Sequence, residues 1–212
     1  MTAVTNYAAL PPGVQVHRGR IGPGAQATLL AALRRVIAEA PLFTPVMPRT
    51  GRPFSVAMTN CGRLGWVSDK DGGYRYQPTH PATGRPWPAM PGELLALWRE
   101  VAGFDAPPEA CLVNYYDAGT KMGSHRDEDE DEPLAPVLSV SLGCDAVFHV
   151  GGLGRRDPKT RLLLRSGDVL VLGGASRLAY HGIDRVKAGT SDLLAEGGRI
   201  NLTLRRVTRM AD

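Results

Sequence analysis

Long apolar segments are missing from this 212-residue sequence, and their absence argues against one class of protein. A helix that crosses a membrane needs about 18 or more consecutive apolar residues, and no such run occurs. The N-terminus, MTAVTNYAALPPG, also lacks the charged and apolar blocks of a signal peptide. We therefore expect a cytoplasmic protein that has no membrane partner.

Cysteine is scarce as well. The three cysteines, Cys61, Cys111 and Cys144, are widely spaced in the chain. An odd number without a C-x-x-C pair indicates neither a disulfide framework nor a zinc ribbon. The expected state is therefore reduced thiols, most of them buried.

No charge of one sign dominates the chain, whose formal net charge is +4 at pH 7. The charge is nevertheless uneven, because residues 1–150 carry 13 basic and 15 acidic side chains whereas residues 151–212 carry 12 and 6. A basic surface attracts polyanions and suits nucleic acid, although many ordinary proteins are equally basic. Charge alone therefore leaves the partner open.

Two segments show the period of amphipathic helices. The first covers residues 25–40 and stops before Pro41, and the second follows Pro91 and ends near Gly103. Between them, residues 53–91 are rich in glycine, proline and aromatic residues. This composition is typical of a loop and hairpin region that covers another part of the molecule.

After residue 110 the sequence changes to short apolar stretches separated by turn residues. Several such stretches favour an all-β sandwich, barrel or jelly roll. We expect a single domain over residues 1–212, with a β core in the C-terminal half and helices and a covering segment from the N-terminal half. The predicted strands contain CLVNYY, PVLSVSL, AVFHV, RLLL, DVLVL and RINLTLRRV.

One histidine and carboxylate pair has the spacing of a metal site: His125 and Asp127, with His181 later in the chain. Residues two apart in a strand face the same side, so this pair can reach one ion while His181 returns from another strand. Two histidines and one carboxylate leave three positions of an octahedral iron open, as non-haem oxygenases require. The alternative is a chance pair at a surface strand end. The remaining histidines lack such a partner and are expected to be structural or exposed: His17, His80 and His149.

The segment RINLTLR alternates polar and apolar residues, so its polar side chains share one face of the predicted strand. Those polar residues are Arg199, Asn201, Thr203 and Arg205. Arginine binds carboxylates through paired hydrogen bonds, so this face can hold both ends of a dicarboxylate such as 2-oxoglutarate. The alternative is a solvated outer strand face. Asn114 and Tyr116 point the same way on an earlier strand and could hydrogen-bond the same acid.

Beyond these local patterns, the chain resembles the AlkB dioxygenases, a family that repairs alkylated nucleic acid. The resemblance runs from about Phe54 to Arg206, and its segments keep their order. It implies a mainly β fold with flanking helices, in which a double-stranded β-helix (jelly-roll) catalytic core covers residues 110–207 and a nucleotide-recognition lid covers residues 53–91. The matching segments are MTNCGRLGW, GYRY, RPWPAMP, CLVNYYDAG, SHRDEDE, SVSLG, GDVLVLGG, SRLAYHGI and RINLTLR.

The resemblance also implies a reaction. His125, Asp127 and His181 would ligate Fe(II), with 2-oxoglutarate and O2 as co-substrates and Arg205 at the distal carboxylate of 2-oxoglutarate. The substrate would be single- or double-stranded DNA, or RNA. In the absence of any sequence signal for association, we expect a monomer. Oxidative dealkylation of bases of the 1-methyladenine and 3-methylcytosine type would release formaldehyde and succinate. The residues implied to bind 2-oxoglutarate are Asn114, Tyr116, Arg199, Asn201 and Arg205.

The lid supplies most residues expected at the damaged base. Bases inside a duplex cannot reach a buried metal, so the target must be flipped out or taken from a single strand and then stacked on aromatics. By the resemblance, Trp66 and Tyr74 stack on that base and Asp129 meets its amino edge. Met58 and Arg155 would line the same pocket.

Some of these positions have a second interpretation. Trp66 and Trp87 could instead be core aromatics. The acidic run at residues 127–132 should repel a polyanion, so most of it is expected to be solvated. The positions expected at the surface are Glu128, Asp131 and Glu132.

The sequence also departs from the family pattern. The segment between Trp66 and Tyr74 carries one extra residue, and Leu172 stands where an aromatic residue is expected, so the pocket width and the preferred lesion stay open. Two other classes of protein also stay open. One is a 2-oxoglutarate dioxygenase that hydroxylates a protein or a small molecule, and the other is a nucleic-acid-binding module without enzymatic activity.

Overall fold

The fold is described by a computed structural model that covers residues 10–210. Most of the N-terminal segment that lacks signal-peptide features, residues 1–9, lies outside the described residues. Within residues 10–210, no helix combines the length and the apolar character needed to cross a bilayer.

Two helices form where the helical period predicts them. Helix α1 spans Pro23–Glu39, and a proline suits its first turn because the missing N–H would have no partner there. The helix ends at Ala40, and the following Pro41 disfavours a helical backbone in the residue before it. Helix α2 spans Gly92–Val101.

The strands form three antiparallel sheets. The large sheet has the order β1-β10-β7-β12-β5-β2, the small sheet has the order β6-β11-β8-β9, and β3 and β4 form a separate hairpin. In the described part of the chain the strands are β1 Val14–His17, β2 Ala57–Gly62, β3 Gly65–Asp69, β4 Gly73–Gln77, β5 Ala110–Tyr116, β6 Met122–His125, β7 Val137–Gly143, β8 Ala146–Val150, β9 Thr160–Leu164, β10 Val169–Leu172, β11 His181–Val186 and β12 Arg199–Arg205.

The large sheet buries apolar residues on both of its faces. One face packs against α1 and α2, where Leu33, Trp98 and Leu202 are fully buried. The other face meets the small sheet through side chains such as Leu170 and Phe148. Two facing antiparallel sheets with flanking helices agree with the predicted jelly roll. The predicted fold class is therefore confirmed.

Strand β12 shows how the sequence pattern positions polar groups. Its apolar residues belong to the core beneath the helices, so its polar residues face the space between the two sheets. The strand lies between β5 and β7, and its register places Arg199 opposite Tyr116 and Asn201 opposite Asn114. Polar side chains of two neighbouring strands therefore meet in the interior of the fold.

The large sheet extends further toward the N-terminus than the sequence indicates. Strands β1 and β2 precede residue 110, and β2 lies within the range 53–91 that was expected to form a lid. Strand β2 pairs with β5 from Ala57 opposite Tyr115 to Gly62 opposite Ala110. The sequence of β2, AMTNCG, contains few residues with a preference for strands, so this strand is recognised only from its pairing with β5. Within 53–91, the hairpin of β3 and β4 forms a sheet of its own.

The cysteines are free and buried, as the sequence predicts: Cys61, Cys111 and Cys144. Cys61 on β2 and Cys111 on β5 are register partners. The hydrogen bond to Cys61, together with burial, raises the pKa of the Cys111 thiol well above its ordinary value. This thiol therefore stays protonated and unreactive.

Candidate active site

Three potential metal ligands converge between the sheets. His125 ends β6 and His181 begins β11, and these cross-strand partners have ring centroids 4.5 Å apart. Asp127 follows β6, and its carboxylate oxygens lie 3.9 Å from Nε2 of His125 and 4.0 Å from Nε2 of His181. One ligand atom from each residue lies within 4.8 Å of the other two. The structure therefore brings the three sequence-predicted ligands together.

Backbone carbonyls orient both imidazole rings. Nδ1 of His125 lies 3.1 Å from the Gly123 carbonyl, and Nδ1 of His181 lies 3.0 Å from the Ala179 carbonyl. Because a carbonyl only accepts, each Nδ1 carries the proton and each Nε2 keeps a lone pair for a metal. Burial and the neighbouring His125 lower the pKa of His181 to about 4, so its ring stays neutral. This donor set fits Fe(II).

Asp127 is held in its ionised form by arginine. Nη2 and Nε of Arg205 lie 3.0 and 3.2 Å from its Oδ2, and Arg177 donates to its backbone carbonyl at 2.8 Å. Burial alone would raise the pKa of Asp127, but Arg205 and the two nearby histidines outweigh burial and hold this pKa well below its ordinary value. An ionised carboxylate is the form that a metal ligand requires.

The other end of β12 carries a buried cation. Arg199 is 0% exposed, and its Nη groups donate to neutral oxygens, including the Cys144 carbonyl at 3.1 Å and Ser141 Oγ at 2.5 Å. Among the described residues, its Nε has no hydrogen-bond partner, and no ion pair includes it. Burial lowers the pKa of Arg199 to about 10. A buried charge without a counter-ion is costly, so this guanidinium fits an anionic ligand.

The two arginines of β12 have different surroundings. Arg205 contacts Asp127 and therefore lies beside the candidate metal ligands, and its Nη1 is buried without a partner among the described residues. Arg199 lies at the opposite end of the same strand, about 20 Å away along the backbone at the usual rise per residue. Both side chains nevertheless line the same cavity.

The other residues predicted for the co-substrate line the same cavity. Asn114 has a buried Oδ1 without a partner in the described chain. Burial raises the pKa of Tyr116 well above its ordinary value, so its phenol remains a hydrogen-bond donor. Asn201 differs, because its Nδ2 donates to Ser139 Oγ at 2.7 Å and its Oδ1 accepts from Thr203 at 3.0 Å. Asn114 and Tyr116 are therefore freer to meet a ligand than Asn201.

All these side chains surround one cavity of about 540 Å³. Residues from both sheets line it, and the β3–β4 hairpin contributes Trp66 and Tyr74. Leu170 and Phe148 make part of the wall apolar. Leu172, which replaces an expected aromatic residue, is 2% exposed and also lines the cavity. A leucine fills less space than an aromatic side chain.

An aromatic pair stands at the entrance to the cavity. Trp66 and Tyr74 stack with ring centroids 5.6 Å apart and 21° between their planes, and Tyr74 is 52% exposed. Nε1 of Trp66 donates to Oδ2 of Asp129 at 2.7 Å. This bond links the hairpin to the loop that follows the metal ligands. An exposed aromatic pair of this kind offers a surface on which a base can stack.

The remaining predicted substrate residues also line the cavity. Met58 on β2 is buried, whereas Arg155 is exposed and lies 5.7 Å over the Tyr180 ring. Trp87 belongs elsewhere, because it is 6% exposed and packs in a small core with Val67. The core interpretation therefore holds for Trp87, whereas Trp66 is half-buried at the entrance.

Glu130 and Arg177 belong to a buried ion-pair cluster that no sequence pattern predicts. Glu130 lies 2.9 Å from Nη2 of Arg177 and 3.3 Å from Nε of Arg205, and it accepts the hydroxyl of Tyr76 on β4. The cluster connects the hairpin to the metal ligands. Arg177 precedes His181 in the segment SRLAYHGI, but a single arginine there carries no spacing signal.

The acidic run is less exposed than predicted. Glu128 and Asp131 are exposed, as expected. The prediction for Glu132 is wrong, because this residue is 7% exposed and accepts the backbone N–H of Leu134 at 3.1 Å. A carboxylate can be buried where backbone donors satisfy it.

Comparisons with known proteins agree with this geometry. The family model described as the 2OG-Fe(II) oxygenase superfamily matches residues 13–205. The chain is 51% identical over 195 residues to the alpha-ketoglutarate-dependent dioxygenase AlkB homolog of Caulobacter vibrioides, covering 92% of this chain and 88% of that protein. It is 47% identical over 182 residues to the alpha-ketoglutarate-dependent dioxygenase AlkB of Escherichia coli K12, covering 84% of this chain and 83% of that one.

A solved structure supports the same grouping. The structure of OsALKBH1 superposes with a TM-score of 0.77 and 29% sequence identity, covering 93% of this chain and 98% of that one. A 2OG-Fe(II) oxygenase family structure from Burkholderia pseudomallei has a TM-score of 0.54, covers 91% of this chain and 84% of that one, and at 16% identity supports the fold alone.

Proposed function

Because the chain belongs to the AlkB family of Fe(II)- and 2-oxoglutarate-dependent dioxygenases, we propose that it removes alkyl groups from damaged bases in DNA or RNA. Methyl groups of the 1-methyladenine and 3-methylcytosine type fit this role. The products are formaldehyde, succinate, CO2 and the restored base.

One observation carries the proposal. The aromatic pair Trp66 and Tyr74 lines the same cavity as His125, Asp127 and His181. A flat ring that stacks on the pair is therefore held beside the oxidising centre. Alkylated nucleic acid combines such a ring with a polyanionic backbone, and the C-terminal part of the chain is basic.

Residues at the inner end of the cavity would hold the metal and the co-substrate. Bound Fe(II), with 2-oxoglutarate and O2, supplies the oxidising chemistry that hydroxylates the alkyl carbon. His125, Asp127 and His181 would hold the metal. Both arginines keep a buried nitrogen free for a ligand. Arg205 already pairs with Asp127, which supports a role at the carboxylate nearer the metal, whereas Arg199 is buried without an ion pair among the described residues, which supports a role at the distal carboxylate that the resemblance gives to Arg205. Asn114 and Tyr116 would complete the hydrogen bonds of the acid.

The entrance residues hold the base. Stacking on Trp66 and Tyr74 favours any base that has left its helix, because every base has an aromatic face. Asp129 is exposed beside Trp66, so its negative charge favours a base that methylation has made cationic. Met58 and Arg155 would limit the pocket on other sides.

Four features of the protein are part of the same proposal. These are a single domain over residues 1–212, a nucleotide-recognition lid at residues 53–91, a catalytic core at residues 110–207 and a monomeric, cytoplasmic enzyme. The separate sheet formed by β3 and β4 supports the lid within its predicted range.

Formaldehyde release tests the function directly. We expect the wild-type protein to release formaldehyde from a single-stranded oligonucleotide with 1-methyladenine when Fe(II), 2-oxoglutarate and ascorbate are present. His125→Ala, which removes a metal ligand, should abolish the release. The unmethylated oligonucleotide serves as the substrate control. Succinate formation without formaldehyde from any methylated oligonucleotide would contradict the proposed substrate and favour a protein or small-molecule substrate.

A further inference from the structure

The outer face of the small sheet carries a hydrogen-bonded chain that the proposed reaction does not use. His149 on β8 lies at its centre, with Nε2 2.7 Å from Ser124 Oγ on β6 and Nδ1 2.7 Å from Asp184 Oδ1 on β11. Lys159 donates to Ser124 at 2.7 Å, and Arg161 donates to Asp184 at 2.8 Å. One imidazole therefore joins β8 to two strands that also carry the histidine ligands of the metal site.

A glycine makes this crossing possible. Gly182 on β11 is the register partner of His149, and the imidazole passes close to it on the way to β6. A Cβ at Gly182 would lie 2.9 Å from Cε1 of His149 and 2.5 Å from the Met122 carbonyl of β6. Both distances are too short for a side chain. Gly182 directly follows His181, so the crossing lies immediately behind the metal ligands.

The imidazole is in the neutral form that this bridge requires. His149 is 4% exposed, and burial lowers its pKa although Asp184 acts in the opposite direction. A neutral ring donates at one nitrogen and accepts at the other. Nδ1–H therefore donates to Asp184, and Nε2 accepts the hydroxyl of Ser124. Every polar atom of the ring has a partner, which makes the bridge stable inside the protein.

The strands that this bridge joins are weakly paired. Strand β6 has four residues, and its ladder with β11 is irregular between His181 and Ile183. The backbone ladder that places His125 opposite His181 is therefore short. Ser124 directly precedes His125 in the chain, so a bond that fixes Ser124 also fixes the position of His125.

We propose that His149 is a positioning residue of the metal site, which holds β6 against β11 through Ser124 and Asp184. The two imidazoles of His125 and His181 are then already positioned to bind one metal ion in the metal-free protein. The proposal depends on the metal site and not on the identity of the substrate. Substitution of a residue that supports the metal ligands commonly changes metal affinity by about 10- to 100-fold.

The contacts also have the order of a serine, histidine and aspartate triad. In such a triad the serine oxygen attacks a substrate, whereas here the Lys159 ammonium donates to that oxygen. A positioning role accounts for all four partners of the chain. We therefore expect no labelling of Ser124 by a fluorophosphonate, and labelling at this residue would overturn the assignment.

Binding of Mn(II), a redox-stable probe of the same site, tests the proposal without any turnover. Titration calorimetry should show about tenfold weaker Mn(II) binding for His149→Ala than for the wild type. His149→Gln should recover most of the affinity, because a side-chain amide can donate to Asp184 and accept from Ser124. Ser124→Ala, which removes only the contact on β6, should weaken binding in the same direction.

Val147→Ala is the matched control, since Val147 lies on the same strand outside the hydrogen-bonded chain. It should lower the midpoint of urea unfolding of the metal-free protein while Mn(II) affinity stays at the wild-type value. Wild-type affinity in His149→Ala would overturn the proposal, and so would wild-type affinity in Ser124→Ala, because the bridge needs both residues. An equal loss of affinity in Val147→Ala would also overturn it, because general destabilisation would then explain the effect. These outcomes differ from a failure of the proposed function, in which the metal binds normally and no methylated base reacts.

Discussion

The inner end of the cavity and its entrance differ in how firmly the protein holds their side chains. At the inner end, Asp127, Arg205 and Arg199 are buried and most of their polar atoms have protein partners. At the entrance, Trp66 is half-buried and Tyr74 is 52% exposed. The same small cavity therefore combines a preorganised chemical centre with a more adaptable surface for the substrate.

The difference has an energetic consequence. Removing one member of a buried charged pair leaves the other charge without compensation, and this costs more than removing one exposed contact. Substitutions at the inner end should therefore impair turnover of every substrate, through the metal or through the co-substrate. Substitutions at the entrance should affect the nucleic acid alone.

Asp127→Asn should have the largest effect. The amide keeps the shape of the side chain but removes the charge that binds the metal and neutralises Arg205. We expect succinate formation to fall by more than about 100-fold, which exceeds the usual effect of substituting a residue that only supports the metal ligands. Asp131→Asn, an exposed position in the same acidic run, should keep wild-type activity. Equal activity of the two variants would show that Asp127 is not a metal ligand.

Arg199→Ala should have the next largest effect, on 2-oxoglutarate. Loss of a buried cation that pairs with a ligand carboxylate weakens binding by about 2–5 kcal/mol. The KM for 2-oxoglutarate should therefore rise steeply, while calorimetry still detects Mn(II) binding. Arg185→Ala, which removes an exposed arginine on β11, is the control and should leave this KM unchanged. A normal KM in Arg199→Ala would place the distal carboxylate elsewhere.

Trp66→Ala should separate the entrance from the inner end. Loss of base stacking costs about 1–3 kcal/mol, so the KM for a methylated oligonucleotide should rise while the KM for 2-oxoglutarate stays constant. Trp87→Ala removes a core aromatic and should instead lower the stability of the whole protein by about 3–5 kcal/mol. If Trp66→Ala, like Trp87→Ala, lowered protein stability without changing the KM for the methylated oligonucleotide, Trp66 would be a structural residue.

Asp129→Asn should have the smallest effect. The amide oxygen can still accept the hydrogen bond from Trp66, so the variant removes only the negative charge. Because Asp129 is exposed, we expect about a two- to fivefold rise in the KM for a cationic methylated base and no change for a neutral one. Asp71→Asn, in the turn of the hairpin, provides the control. An equal rise for both bases would exclude charge recognition.

The same two regions show how much the sequence can predict. The alternation in RINLTLR predicted which side chains of β12 face the cavity, since a strand pattern is local. It did not predict that Arg205 contacts Asp127, because this contact depends on how the small sheet faces the large one. Strand β2 was missed for a similar reason, since its residues have little preference for strands and its pairing with β5 defines it.

Burial of single charged residues was the hardest feature to predict. Glu132 lies in a run of six acidic residues, and such a run normally indicates a solvated surface. Glu132 accepts the backbone N–H of Leu134, which is nearby in the chain, and that of Met210, which the fold brings from 78 residues away. Glu130 is likewise enclosed by Arg177 and Arg205, which come from distant parts of the chain. No local pattern records these partners.

The ratio of formaldehyde to succinate tests the central claim most directly. If the entrance presents an alkylated base to the centre formed by His125, Asp127 and His181, a methylated oligonucleotide should yield one formaldehyde for each succinate and return the unmodified base. Mass spectrometry of the oligonucleotide and quantification of both small products would measure this ratio. Succinate produced at an unchanged rate with and without the methylated oligonucleotide, with no repaired base, would contradict the account.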